Sequence, residues 1–278
     1  MRIGELSRRT GVSAELLRAW EQRYELLRPA RSAGGFRLYS AADESRVRRM
    51  TALIASGVSA SEAAARAAGD EPMTPDIAAT DELGDALRAA LDRFDAESAH
   101  DALDRLLAIV SVEVAISEVL VPLLHELGDR WQTGDATVGQ EHFASNLVRG
   151  RLLGIARGWA GGSGPMFILA CPPGEEHDLG LMMFGIALTR RGARVVFLGA
   201  DTPVATIAET VADLAPDGVV IAVARSVPLA AASKELEAMA RTVPVYVGGP
   251  GIDEATVKEL GGRLLDGDPV AAARALIA

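Results

Sequence analysis

Apolar positions change rhythm twice along this chain. Near the start they fall at helical spacing: Ile3 and Leu6 before a break at Gly11, then Val12, Leu16, Leu17 and Trp20 after it. Ser13 is a good cap for a helix beginning at Ala14. Two short helices around a tight glycine turn are therefore predicted, a helix-turn-helix whose second helix enters a major groove. Residues 28–39 follow, with Gly34 and Gly35 set between basic and aromatic residues. They predict a β-hairpin that offers arginines to a phosphate backbone. Ser40 caps a further helix over 41–55, and Ser59 with Glu62 forms a capping box that opens another.

Residues 69–76 carry two prolines and three acids with no apolar period, and read as a linker. Helical spacing then returns over 83–94, 96–110, 112–131 and 138–160, enough for a four-helix bundle. Pro122 should kink the third helix or mark an irregularity in it. At the corner before the fourth, Gly134 ends one helix and Thr137 with Gln140 makes a capping box for the next. Trp131 thus leaves one helix as Glu141 and His142 enter the following one. Taken alone, the tryptophan reads as packing and Glu141–His142 as a solvated pair.

After a break at 161–165 the pattern becomes short, nearly continuous apolar runs alternating with helical segments. The runs at 166–171, 194–199, 218–224, 243–247 and 263–265 predict a five-stranded parallel sheet covered on both faces. Such doubly wound, flavodoxin-like sheets bind ligands beyond the carboxyl ends of their strands. The first of those ends carries Glu175, Glu176, His177, Asp178 and Gly180. An imidazole on a short loop, flanked by carboxylates able to orient its second nitrogen, is the usual arrangement of a metal-ligating histidine. Ser226 and Val227 follow the third strand, and Gly248 and Gly249 the fourth. Glycines there let a ligand approach the backbone, or simply make a turn. No phosphate-loop lysine and no Gly-x-Gly-x-x-Gly follow the first strand, which disfavours a nucleotide.

Charge sharpens this division. The 278 residues carry a net charge of −10, but residues 1–69 hold twelve arginines against seven acids while the remainder has 16 basic and 31 acidic residues. A basic head on an acidic body suits a nucleic-acid contact confined to the head. A single cysteine, Cys171, rules out an internal disulfide and argues against a cysteine-based metal site. The longest apolar run, 218–224, is far too short to cross a bilayer, and the N-terminus lacks a secretory apolar stretch. A cytoplasmic location with no membrane partner is expected. Neither His100 nor His125 has a clear partner in the sequence, and both read as ordinary surface positions, although His125 can also face the bundle pocket.

The run from Leu17 to Tyr24, followed by Gly35-Phe36-Arg37-Leu38-Tyr39, resembles the winged-helix head of MerR-family regulators across residues 1–69. The resemblance implies a recognition helix over 14–23, a wing near Gly34 and dimeric binding to a two-fold operator in double-stranded DNA. It offers Arg18, Tyr24, Arg31, Arg37 and Tyr39 as DNA contacts. Tyr24 and Tyr39 read equally well as packing for a small core, and Trp20 reads better as core.

Glu175-x-His177-x-x-Gly180, the Ser226–Val227 segment and Gly248-Gly249 together resemble the binding pattern of cobalamin domains. That implies His177 as the lower axial cobalt ligand in place of the cofactor's own base, beside Glu175, Asp178 and Gly180. The displaced nucleotide tail would enter a slot lined by Ser226, Val227, Gly248 and Gly249. The chain departs by having Glu175 where many members have aspartate, and Ser-Val-Pro where many have Ser-x-Leu. The carboxylate and the hydroxyl are both kept.

Trp131 followed by Glu141-His142 is similar to the upper-face motif of the light-sensing CarH/LitR group, and the likeness spans nearly the whole chain. It implies three domains: a head at 1–69, a bundle at 76–160 over the upper cofactor face, and a cobalamin domain at 165–278. Adenosylcobalamin would lie between bundle and sheet against Trp131, Val138, Glu141 and His142. It also implies a non-enzymatic repressor that is a tetramer in the dark and releases DNA when light breaks the cobalt–carbon bond. Gln132 stands where many members carry a histidine. An amide is a poor cobalt ligand beside imidazole, so no bis-histidine adduct is expected through residue 132, with His142 or water taking that place. Two other readings stay open: a regulator that senses corrinoids without light, and a corrinoid methyl-carrier protein, against which the head argues.

Overall fold

The computed structural model describes residues 1–31, 35–55, 58–67, 77–156, 159, 161, 164–225 and 233–277. The chain divides into two compact units, residues 1–80 with 104–110 and residues 81–103 with 111–278.

The first unit begins with α1 (Ile3–Thr10) and α2 (Ala14–Tyr24), separated by Gly11 in the left-handed conformation at φ 70°. The Ser13 hydroxyl caps α2 by accepting from the Leu16 N–H at 3.2 Å. Strands β1 (Ala30–Arg31) and β2 (Arg37–Leu38) then pair antiparallel, Ala30 opposite Leu38 and Arg31 opposite Arg37. Helices α3 (Ala41–Ala55) and α4 (Ala60–Ala67) complete the unit's folded head. Leu6, Val12, Leu17, Trp20, Leu26, Tyr39, Val47 and Met50 are buried together at its centre. The foot of the hairpin is fixed by Asp43, itself 0% exposed. Its carboxylate accepts from the Arg28 N–H at 2.9 Å, the Ser40 N–H and hydroxyl at 2.8 Å each, and Arg46 at 2.7 Å. Two backbone points twelve residues apart are thereby held on one side chain.

Helical structure continues through α5 (Ile77–Asp92), α6 (Ala96–Ile109), α7 (Val112–Val114), α8 (Val121–Thr133) and α9 (Val138–Ile155). Between α7 and α8, residues Ala115–Leu120 form a π-helical stretch, closed by a Val121 N–H to Ile116 carbonyl bond. Pro122 sits in the first turn of α8. The irregularity expected at the proline lies one turn before it, because a proline has no N–H to donate and its ring crowds the carbonyl four residues back. Helix α9 ends at Ile155 rather than near 160, and Gly154 in its last turn weakens the helix there.

The sheet comprises β3 (Met166–Ala170), β4 (Arg194–Gly199), β5 (Gly218–Ala222), β6 (Val245–Gly248) and β7 (Arg263–Leu265). Its order is β4-β3-β5-β6-β7 with every pairing parallel. Helices α10 (Leu179–Arg190), α11 (Val204–Leu214), α12 (Ser233–Ala240), α13 (Glu254–Glu259) and α14 (Pro269–Leu276) intervene or follow. Ile168, Val219, Ile221, Val245 and Val247 form the buried spine against Ile207, Leu236 and Met239. Strand order reverses between β3 and β5, and ligands bind doubly wound sheets at that switch point, outside the carboxyl ends.

Candidate functional site

The switch point is where the candidate chemistry gathers. Glu175 follows β3 and is 0% exposed. One carboxylate oxygen accepts from the Ala224 N–H at 2.8 Å and the Arg225 N–H at 2.7 Å, both just past β5. The other lies 2.9 Å from the His177 N–H and 2.6 Å from His177 Nδ1. Burial alone would raise this carboxyl. The N–H groups of Arg225 and His177 and the imidazole outweigh it, and Glu175 stays below its usual range. With Nδ1–H donating to that carboxylate, Nε2 carries the lone pair on a side chain that is 51% exposed.

The rest of the loop is pinned. Gly174 N–H donates to Asp201 at 2.8 Å, and Asp201 N–H donates to the Glu175 carbonyl at 2.9 Å. Asp178 is buried and receives Arg149 of α9. Cys171 lies below, and burial, with the nearby carboxylates, pushes its thiol up to about 12. It is an inert core thiol.

The helical corner reaches the same edge. Trp131 and Val138 are large apolar side chains left exposed there, and Arg225 lies over the Trp131 ring at 5.1 Å. Arg225 therefore touches Trp131 with its side chain and Glu175 with its backbone, which joins the corner to the histidine loop. Glu141 is held by the Ser145 hydroxyl at 2.7 Å and lies 2.8 Å from His142 Nδ1. His142 and Gln132 are exposed, as are His100 and His125.

Gly180 is exposed in the first turn of α10. A Cβ on Gly248 would meet Leu265 at 3.4 Å, whereas one on Gly249, at φ 114°, would meet the Val223 carbonyl oxygen at 2.3 Å. The close approach at 249 is between two backbone segments. Ser226 and Val227 lie outside the described residues. Sequence reasoning did not single out Arg149 or Arg225, since a lone arginine carries no motif.

This donor set fits a corrinoid. Among the described residues no three or more metal-binding side chains gather around a bare ion. A single imidazole oriented by a buried carboxylate can hold a metal that brings its other ligands with it, as a corrin does. Exposed apolar surface at Trp131 and Val138 on the helical side suits the flat face of such a ring.

In the head, Arg18 is exposed on α2 and Tyr24 is half-buried at its end. Arg37 is exposed on the hairpin and pairs with Glu21 at 2.9 Å. The Arg31 backbone is in β1, while its side chain lies outside the described residues. Tyr39 is only 2% exposed and donates its hydroxyl to Glu21 at 2.7 Å. Burial and the Glu21 carboxylate push that phenol well up. This geometry packs Tyr39 into the core of the head, where its hydroxyl ties the foot of the hairpin to α2.

Comparison with known proteins agrees with both halves. Residues 1–69 match the MerR HTH family regulatory proteins, and residues 83–153 and 165–266 each match a B12 binding domain. The chain is 35% identical over 260 residues to the HTH-type transcriptional repressor CarA of Myxococcus xanthus, covering 91% of this chain and 88% of that protein. It is also 35% identical over 227 residues to the HTH-type transcriptional repressor CarH of the same organism, covering 78% and 76%. A monomethylamine corrinoid protein of Methanosarcina barkeri has the same fold over 71% of this chain and 98% of its own, at TM-score 0.61 and 17% identity. No described helix is long and apolar enough to cross a membrane. A MerR-type head joined to two B12-binding regions, with this likeness along most of its length, makes the chain a member of the cobalamin-binding HTH transcriptional repressor family that includes CarH and CarA.

Proposed function

We propose that this protein is a light-responsive repressor that uses adenosylcobalamin held between its helical region and its sheet, with His177 as the lower cobalt ligand. The observation that carries the reading is the His177–Glu175 pair. A buried carboxylate holds Nδ1 at 2.6 Å and leaves Nε2 as the ring nitrogen available to a metal at the switch point. When bound, the cofactor supplies a cobalt–carbon bond that light breaks.

The chain's own groups do the rest. Glu175 orients the imidazole and holds its tautomer. Trp131 and Val138 give the upper face apolar cover, and Glu141 and His142 give it polar partners. Asp178 and Gly180 adjoin His177 in the chain, and the Ser226, Val227, Gly248 and Gly249 segments would line the slot for the cofactor's nucleotide tail. Trp131 on α8 and Glu141 on α9 would both meet the upper substituent, so these two helices would carry its presence or loss to the oligomer.

The head serves the output. Arg18 on α2, with Tyr24, Arg31 and Arg37, meets operator DNA as a dimer or tetramer, the tetramer in the dark. The role is binding and switching, not catalysis, and it is performed in the cytoplasm.

The test is size-exclusion chromatography with absorbance spectra on protein loaded with adenosylcobalamin, in darkness and after green light. A large assembly that falls to a smaller species as the spectrum changes supports the reading. An assembly unchanged after complete photolysis refutes it. Gln132 favours a second reading, a regulator that senses the corrinoid itself without light. Under that reading, DNA affinity in darkness differs among the adenosyl-, methyl- and hydroxocobalamin forms, and green light adds nothing.

A further inference from the structure

Asp178 stands at the N-cap of α10, where an aspartate ordinarily accepts from the first-turn N–H groups. Here its side chain makes no cap bond. The carboxylate is turned to Arg149 instead, with Nη1 at 2.9 Å from one oxygen and Nη2 at 2.6 Å from the other. The Asp178 side chain is 6% exposed and that of Arg149 34%, so the carboxylate is out of water while the guanidinium is partly solvated. A helix cap has been given up for a contact with the helical region.

The position of each partner gives that contact a use. Asp178 directly follows His177 in the chain. Arg149 follows Glu141 by eight residues on α9, and Ser145 between them donates to Glu141 at 2.7 Å. Residues at i, i+4 and i+8 share one helix face, so Glu141 and Arg149 are separated by about 12 Å along a rigid rod. One point of that rod carries an upper-face residue, and the other grips the neighbour of the lower ligand. Packing of α9 on α10 accompanies the grip.

We propose that Arg149 is a specificity-determining positioning residue: its pairing with Asp178 sets the spacing between the Glu141 end of α9 and His177, and so the size of upper substituent accepted. The inference rests on the cofactor placement proposed above.

The experiment titrates the full-length chain in darkness with adenosylcobalamin and with methylcobalamin, for the wild type, Arg149→Met and Arg149→Lys. A fourth protein, Arg149→Met with Asp178→Asn, removes the buried charge that the single variant would strand. Wild type should discriminate between the two forms by about tenfold or more, a ratio set by spacing and not by overall stability. Arg149→Met and the double variant should collapse the ratio to near unity, and Arg149→Lys should restore part of it. Equal weakening of both forms with the ratio intact, or a wild type without preference, would overturn the inference. A wild type that binds neither form overturns the site assignment itself.

Discussion

Glu175 holds His177 at two points, accepting its backbone N–H at 2.9 Å and facing its ring Nδ1 at 2.6 Å. The same carboxylate bonds the N–H groups of Ala224 and Arg225 at 2.8 and 2.7 Å. One side chain thus ties the loop after β3 to the end of β5 while it orients the His177 imidazole.

Replacing Glu175 by alanine strands those N–H groups and releases the ring. The expected cost is about 2–4 kcal/mol of stability, from buried donors left without an acceptor. Cobalamin affinity should fall by about 10–100-fold, as for other orienting partners of metal-bound histidines. Urea unfolding and an absorbance titration read the two effects separately. A variant with unchanged affinity removes Glu175 from the site.

Acid should loosen the hairpin of the head through Asp43. Burial opposes its charge, but the Arg28 and Ser40 bonds and Arg46 prevail, and the carboxyl lies below its ordinary range. A depressed carboxylate contributes stability that is present above its unfolded value, about 3.9, and is lost as pH falls through the lower folded value. Between pH 7 and about 5 its contribution should be constant. Asp43→Asn should flatten the acid limb of head unfolding, followed by circular dichroism; an unaltered limb would count against it.

Arg18 and Tyr39 should separate cleanly in DNA binding. Arg18→Ala is expected to weaken operator binding and lower the salt slope by about one unit per lost phosphate contact, or to relax one base position. Tyr39→Phe removes only the hydroxyl bond to Glu21, so it should cost about 0.5–1.5 kcal/mol of head stability and leave the salt slope alone. Fluorescence anisotropy across a salt series distinguishes them.

Residue 132 and His142 make a spectroscopic pair. With Gln132 an amide, any bis-imidazole photoproduct must draw on His142. His142→Ala should abolish such a signature, and Gln132→His should create one. A bis-imidazole spectrum surviving His142→Ala would sink the assignment.

Gly249→Ala should be among the worst single changes in the sheet. The position has φ 114°, and a Cβ would lie 2.3 Å from the Val223 carbonyl oxygen. Strain and collision together should cost more than about 3 kcal/mol. A thermal midpoint near that of the wild type would contradict the close approach.

Much of this was legible in the sequence because it follows from local pattern. The strand runs, the Thr137–Gln140 capping box and the Gly134 stop all appear in the structure. The histidine loop was legible because His177 and the acid that orients it are two residues apart. Arg149 and Arg225 were not, because their partners are remote in the chain: 29 residues separate Arg149 from Asp178 and 50 separate Arg225 from Glu175. Tyr39 was ambiguous for a different reason, since an amphipathic ring suits a core or a groove until burial decides.

The wide turn at Ala115–Leu120 also fixes an angle. Each residue of an α-helix advances the azimuth by about 100°, so one residue absorbed in a looser turn re-clocks everything after it. Deleting a residue there would let the helix run straight through to Thr133, and would swing the indole of Trp131 about a quarter-turn away from Arg225. The aim of the tryptophan is therefore encoded some ten residues upstream, in a segment that never touches it.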